Sequence, residues 1–190
     1  MCHRFDGEAN HNFPKKSFSI SSVSLRNGFF ALNRQPEESM LYMAGIKVGE
    51  NRIIEHAIKP KFSIQTVFCV KPDDKSALEA LLLIDKYGMA LYATLHLHPG
   101  RGILATCPST DDIKNQTAWE LGGYSNIMGI FSRDGFVRFL RFTDEFEVTV
   151  FGKEVCDVKN RCCDSKLFRL LEAEEIHRPE GAEQGLTFCY

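Results

Sequence analysis

The chain has 190 residues, 44% of them hydrophobic and 25% charged, with a formal net charge of −2. That size and composition suit a single globular domain with a sizeable core. The weak net charge argues against a nucleic-acid binder, and no apolar run reaches the roughly 18 residues of a membrane helix.

The opening "MCHRFDGEANHNFPKKSF" has no apolar signal-peptide core, so a cytoplasmic protein is expected, with residues 1–16 as a flexible segment. "ISSVSLRNGFFALNRQP" predicts a short strand entry and then a helix. The helix should stop near Pro36, because a residue before proline disfavours the α region. "MLYMAGIKVG" and "NRIIEHAIKP" flank a glycine-containing turn and predict a hairpin. "FSIQTVFCV" is β-branched and aromatic and predicts one strand. "PDDKSALEALLLIDKYG" predicts a helix with Asp73 or Asp74 as N-cap and Gly88 as its stop.

"MALYATLHLH" predicts a strand. Leu91, Ala93, Leu95 and Leu97 should share one face, with Tyr92, Thr94, His96 and His98 on the other. "STDDIKNQTAWELGG" predicts a helix opened by Ser109 and ended by Gly122 and Gly123. "NIMGIFS", "FVRFLRF" and "EFEVTVFG" predict three strands, the first two joined by the hairpin signal "RDG". "SKLFRLLEAEE" predicts a last short helix before a loosely ordered tail. The expected class is α/β (α+β), a mixed central sheet flanked by helices. The expected domain spans 17–155, with 156–190 as a C-terminal extension. The seven cysteines are odd in number and form no C-x-x-C. They read as reduced thiols rather than a disulfide framework or zinc finger.

Two histidines at i and i+2 on one strand face can share one metal ion. Zinc accepts imidazole and carboxylate ligands at about 2.0–2.2 Å. Asp111 or Asp112 could be a third ligand if the loop "PGRGILATCP" folds the next helix back over the strand end. A plain structural reading exists too: Ser109 and Asp112 match the capping box S-x-x-[DE], and an H-x-H pair can simply be exposed. His56 and His177 read as surface or core residues, and His3 and His11 fall in the polar N-terminal segment.

The run His96-Leu97-His98-Pro99, then Pro108-Ser109-Thr110-Asp111-Asp112, with "ESMLYMAG" upstream, resembles the JAMM signature of MPN-plus (JAB domain) zinc metalloproteases. That signature is a glutamate, then H-x-H-P, then S-x-x-D. The resemblance covers roughly residues 20 to 142. The interval from Pro99 to Ser109 is two residues longer than in the common eukaryotic form. Leu97 stands where Ser or Thr is usual, and Leu41 where glycine is frequent. The long loop and "GGYSNIMGIFSRDGFVRF" look more like the deubiquitinase-like members of bacterial ubiquitin-like conjugation operons (Bil type), which implies a setting in antiviral defence.

The resemblance implies an MPN/JAB fold of cytidine-deaminase-like architecture, with Zn²⁺ held by His96, His98 and Asp112. It implies Glu38, rather than its neighbour Glu37, as the catalytic base, and Ser109 as a support for the oxyanion. It implies a peptidase or isopeptidase acting on a ubiquitin-like modifier and its conjugates, alongside activating and conjugating enzymes. No nucleic acid or membrane is expected as a partner, and no cysteine is required, Cys107 included. The rival readings are a catalytically silent MPN scaffold and a RadC-like, DNA-associated relative. A zinc deaminase would need H-x-E and P-C-x-x-C, which are missing.

Overall fold

A computed structural model describes residues 15–153, 155–157 and 166–171. The chain forms β1 (Lys16–Ser21), α1 (Ser22–Leu32), β2 (Ser39–Val48), β3 (Asn51–Ile58), β4 (Phe62–Gln65), β5 (Val70–Pro72) and α2 (Asp74–Lys86). There follow β6 (Ala90–Leu97), a 3-10 turn at Ile103–Thr106, α3 (Thr110–Leu121), β7 (Ile127–Phe131), β8 (Phe136–Leu140), β9 (Phe146–Phe151), β10 (Val155–Asp157) and β11 (Leu167–Leu170). No helix among the described residues is long and apolar enough to cross a membrane.

Nine strands make one mixed sheet, in the order β10-β11-β8-β7-β6-β2-β3-β1-β9. β1 runs parallel to β3 and β9, and β6 runs parallel to β7. Hairpins supply antiparallel pairs, such as β2 with β3 and β7 with β8. The fold is therefore the expected mixed α/β class, a central sheet with helices packed on it.

Helix α1 starts where the Ser21 hydroxyl accepts the Ser24 N–H. Leu25, Phe29 and Leu32 recur at helical spacing and are fully buried. They pack on Leu41, Met43, Leu95, Leu97 and Phe131 from one sheet face. Side chains alternate along a strand, so Tyr42 and Ala44 point the other way. They join Leu91 and residues Ala80 and Ile84 of α2, with Trp119 of α3 packed against them. The sheet is thus covered by α1 on one face and by α2 and α3 on the other.

Several expectations are corrected. "FSIQTVFCV" is two short strands, not one. β4 and β5 pair only with each other, and the Thr66 hydroxyl accepts the N–H groups of Phe68 and Cys69 to turn the chain. The apolar face of β6 is not continuous. Met43 pairs with Ala93 but Ala44 with Leu91, so Tyr92 is an extra residue in a β-bulge. The bulge sends Leu91 to the α2 face while Ala93, Leu95 and Leu97 stay under α1. Lys16 already belongs to β1, where a flexible segment is expected; residues 1–14 lie outside the described residues.

Leu167–Leu170 is a strand, not part of a helix. It pairs with β8 and sets Phe168 edge-on against Phe139, so sheet pairing overrides local helix preference. The sheet therefore continues past residue 155. The remainder of the expected helix, and the tail, lie outside the described residues.

Candidate metal centre

The centre forms at one end of the adjacent strands β2 and β6. His96 is the penultimate residue of β6, flanked by Met40 of β2 and Ile130 of β7. His98 lies just past the strand, and its N–H donates to the Phe131 carbonyl at 2.9 Å. The pairing with β7 thus extends far enough to hold both histidines on one face.

The loop after His98 then doubles back. A Cβ on Gly100 would lie 2.9 Å from Cβ of Ala105, so a side chain there would collide with the returning chain. Gly102 has φ +75°, which favours glycine. The 3-10 turn brings the Ala105 carbonyl to 2.9 Å from Nδ1 of His98. A carbonyl only accepts, so Nδ1 carries a hydrogen, and in the neutral ring the lone pair a metal needs is left on Nε2; in the protonated ring Nε2–H donates to Asp112. Buried Thr106 secures the turn: its hydroxyl donates to the Ile103 carbonyl at 2.7 Å and accepts from Nε of Arg138 at 3.1 Å.

Helix α3 begins beside this loop. The Ser109 hydroxyl accepts the Asp112 N–H, and the Asp112 carboxylate takes the Ser109 N–H at 2.7 Å. That is the capping box of the plain structural reading. The same geometry aims Asp112 at the histidines. His96 Nε2 is 3.3 Å from Oδ1, His98 Nε2 is 3.4 Å from Oδ2, and the two Nε2 atoms are 3.1 Å apart. Asp112 therefore caps the helix and completes the cluster at once. Asp111, the other candidate, faces solvent and pairs with Lys114 at 3.8 Å.

The donor set fits a divalent ion. Two ligand atoms about 2.0–2.1 Å from one ion at a tetrahedral angle stand about 3.3–3.4 Å apart. The two Nε2 atoms, 3.1 Å apart, and the 3.3 Å from His96 to Oδ1 lie close to that spacing, while His98 stands 3.4 Å from the other carboxylate oxygen, Oδ2. His96, His98 and Asp112 form the one cluster of three metal-type ligands found among the described residues, all their ligand atoms within 4.8 Å.

Glu38 immediately precedes β2, on the same sheet face as Met40 and His96. Its N–H donates to the Thr66 carbonyl at 2.8 Å, and its carbonyl accepts Nε2 of Gln65 at 3.1 Å. The β4–β5 hairpin thereby clamps the Glu38 backbone. Burial raises the Glu38 carboxyl above its ordinary value; His98 and His96 pull it down, and the Asp112 charge adds to the rise. Burial also disfavours charge on Asp112, but hydrogen bonds from His96, His98 and Ser109 outweigh it and hold this carboxyl well below the usual range. Burial lowers His98 too, yet the hydrogen bond and charge of Asp112, with the charge of Glu38, bring its net shift upward. The Glu37 charge acts instead on the guanidinium of Arg133.

Sequence reasoning missed the Ala105 carbonyl and the hairpin clamp, because a backbone group leaves no residue-type signal. His56 stands apart on β3, lining a cavity of about 600 Å³ with Ile46, Leu83 and Met89. His3, His11 and His177 lie outside the described residues.

No protein-family model matches the chain, and no curated protein matches it. Similar solved structures include the solution structure of protein DSY2949 from Desulfitobacterium hafniense. That likeness has 14% identity and a TM-score of 0.49, covering 70% of this chain and 94% of that one. Another is the crystal structure of AF2198, a JAB1/MPN domain protein from Archaeoglobus fulgidus, with 18% identity and a TM-score of 0.44, covering 70% of this chain and 98% of that one.

Proposed function

We propose that this chain is a zinc-dependent peptidase of the JAMM type. Its substrate is a ubiquitin-like modifier joined to a target, and the cut falls directly after the modifier's C-terminal residue. One observation carries the reading: Glu38, the pair His96 and His98, and Asp112 come from three separate segments and converge at the end of the β2–β6 strand pair. Three are metal ligands by type and spacing, and the fourth is a half-buried carboxyl whose proton affinity is raised.

The reaction adds water across one amide, so the C–N bond breaks, oxygen joins the carbonyl carbon and a proton goes to the amine. His96, His98 and Asp112 would hold the zinc, which when bound would supply a Lewis acid for the water and the carbonyl. Glu38 takes the water proton and delivers it to the leaving nitrogen. Its raised proton affinity suits a base that must hold that proton between the two transfers. Ala105 keeps the His98 lone pair aimed at the cluster. The Ser109 hydroxyl donates to Asp112 at 2.7 Å, so it serves the oxyanion only after turning away. Asp112 would still keep the Ser109 backbone N–H.

An extended modifier tail can reach this site by strand addition, its backbone pairing with an exposed strand edge. The β4–β5 hairpin offers such an edge beside Glu38. The experiment is a fusion of the cognate modifier to a reporter, incubated with the zinc-loaded protein and then with a chelator. Cleavage at the junction, located by mass spectrometry and abolished by the chelator, is expected. Equal cleavage of an unstructured peptide with the same junction would replace modifier recognition with general peptidase activity.

A further inference from the structure

We infer that Arg133 is a positioning residue that holds the Glu38 segment in register with the metal-ligand loop. This rests on the reading of Glu38 as the base. Arg133 lies in the turn joining β7 and β8 and is 9% exposed. Its NH1 donates to Oδ1 of Asn33 at 2.8 Å. Its NH2 donates to the Pro36 carbonyl at 2.6 Å and the Glu37 carbonyl at 3.3 Å. One planar cation therefore gathers the end of α1 and the two residues directly before Glu38.

The same turn holds the other half of the centre through its backbone. The Arg133 N–H donates to the Gly100 carbonyl at 2.9 Å, two residues past His98. The Asp134 carboxylate accepts the Gly102 N–H at 2.8 Å and the Ser132 hydroxyl at 2.7 Å. Loop 98–102 is thus tied to main-chain and Asp134 groups, and loop 33–37 to the Arg133 side chain. A guanidinium can serve acceptors in different peptide planes with separate N–H groups, whereas an ammonium presents one compact charge. Removing the side chain leaves the Gly100 bond intact and loosens residues 33–37, so that Glu38 is held by the β4–β5 hairpin from one side alone.

This asymmetry makes the inference testable. In Arg133→Ala, zinc content should stay at the wild-type level and KM should change little. kcat on the modifier–reporter fusion should fall at least about tenfold, since small misplacement of a reacting group carries a cost of that order. Added guanidinium at low millimolar concentration should restore part of kcat by filling the vacated site, and Arg133→Lys should lie between the two proteins. Hydrogen–deuterium exchange gives an answer independent of activity: amides in 33–38 should exchange faster in Arg133→Ala, with those in 98–102 unchanged. Exchange equal to wild type at 33–38, or unchanged kcat, overturns the positioning role. So do zinc loss or acceleration spread evenly over the sheet, which mean a general structural role. If wild type cleaves no fusion but 33–38 loosens selectively in the variant, the proposed activity fails and the positioning stands.

Discussion

Glu38 and His98 each lie one residue beyond a single backbone pair, Ser39 opposite Leu97, at the end of the antiparallel strands β2 and β6. The carboxyl with raised proton affinity and a metal-type ligand are therefore neighbours by strand register, not by proximity in sequence. One-residue slippage of β2 against β6 would turn Glu38 to the opposite face.

Metal content tests the ligand set. The wild-type protein should carry one zinc per chain by elemental mass spectrometry, and His98→Ala and Asp112→Asn should carry almost none. Asp111→Ala should match wild type, because Asp111 faces Lys114 rather than the histidines. Loss of metal from Asp111→Ala with retention in Asp112→Asn would reverse the assignment.

Glu38→Gln should fold, keep zinc and lose turnover by at least about a hundredfold, the usual contribution of a positioned base. The amide matches the carboxyl in shape but cannot take the proton. Glu37→Gln should stay within a few-fold of wild type, because Arg133 donates to the Glu37 backbone carbonyl, which the substitution keeps. Cys107→Ser should also retain activity, since no step uses the thiol.

Metal-free protein should show a pH optimum of stability. Asp112 titrates below its ordinary 3.8 in the fold, so its contribution is present above that pH and lost as pH falls. His98 titrates above its ordinary 6.5, so its contribution is present below that pH and lost as pH rises through the folded value. Chelator-treated protein should be most stable between these limits, and Asp112→Asn should flatten the curve. Zinc should act the opposite way, raising Tm more at about pH 7.5 than at about pH 5, because bound imidazoles must be deprotonated. Thermal unfolding across pH, with and without zinc, measures both trends; a curve equally steep in Asp112→Asn would remove this pair as the cause.

Glu120 tests what holds α3 in place. Its buried carboxylate accepts Nε2 of Gln116, the N–H groups of Phe142 and Thr143, and the Thr143 hydroxyl. Glu120→Gln turns an amide NH₂ toward some of those donors. The expected cost is about 1–3 kcal/mol, which lowers Tm by about 2–4 °C per kcal/mol at this chain length. Urea unfolding gives the value, and a change below about 0.5 kcal/mol would mean that the loop repacks without the carboxylate.

The parts of this protein legible in its residues are those set by local geometry. Strand alternation puts His96 and His98 on one face, and the Ser109–Asp112 capping box follows from four consecutive residues at a helix start. Asp73 caps α2 for the same local reason, accepting the Ser76 N–H. Tertiary structure decided the remainder. Periodicity cannot separate Glu37 from Glu38; the register of β2 on β6 does, because strand pairing joins residues about sixty positions apart. It also placed the bulge at Tyr92 and made Leu167–Leu170 a strand, since β8 offered backbone partners that no local propensity encodes. The support of His98 by Ala105, and of the Glu38 segment by Arg133, depends on backbone carbonyls. Every residue carries one, so only the folded chain determines which of them a side chain meets.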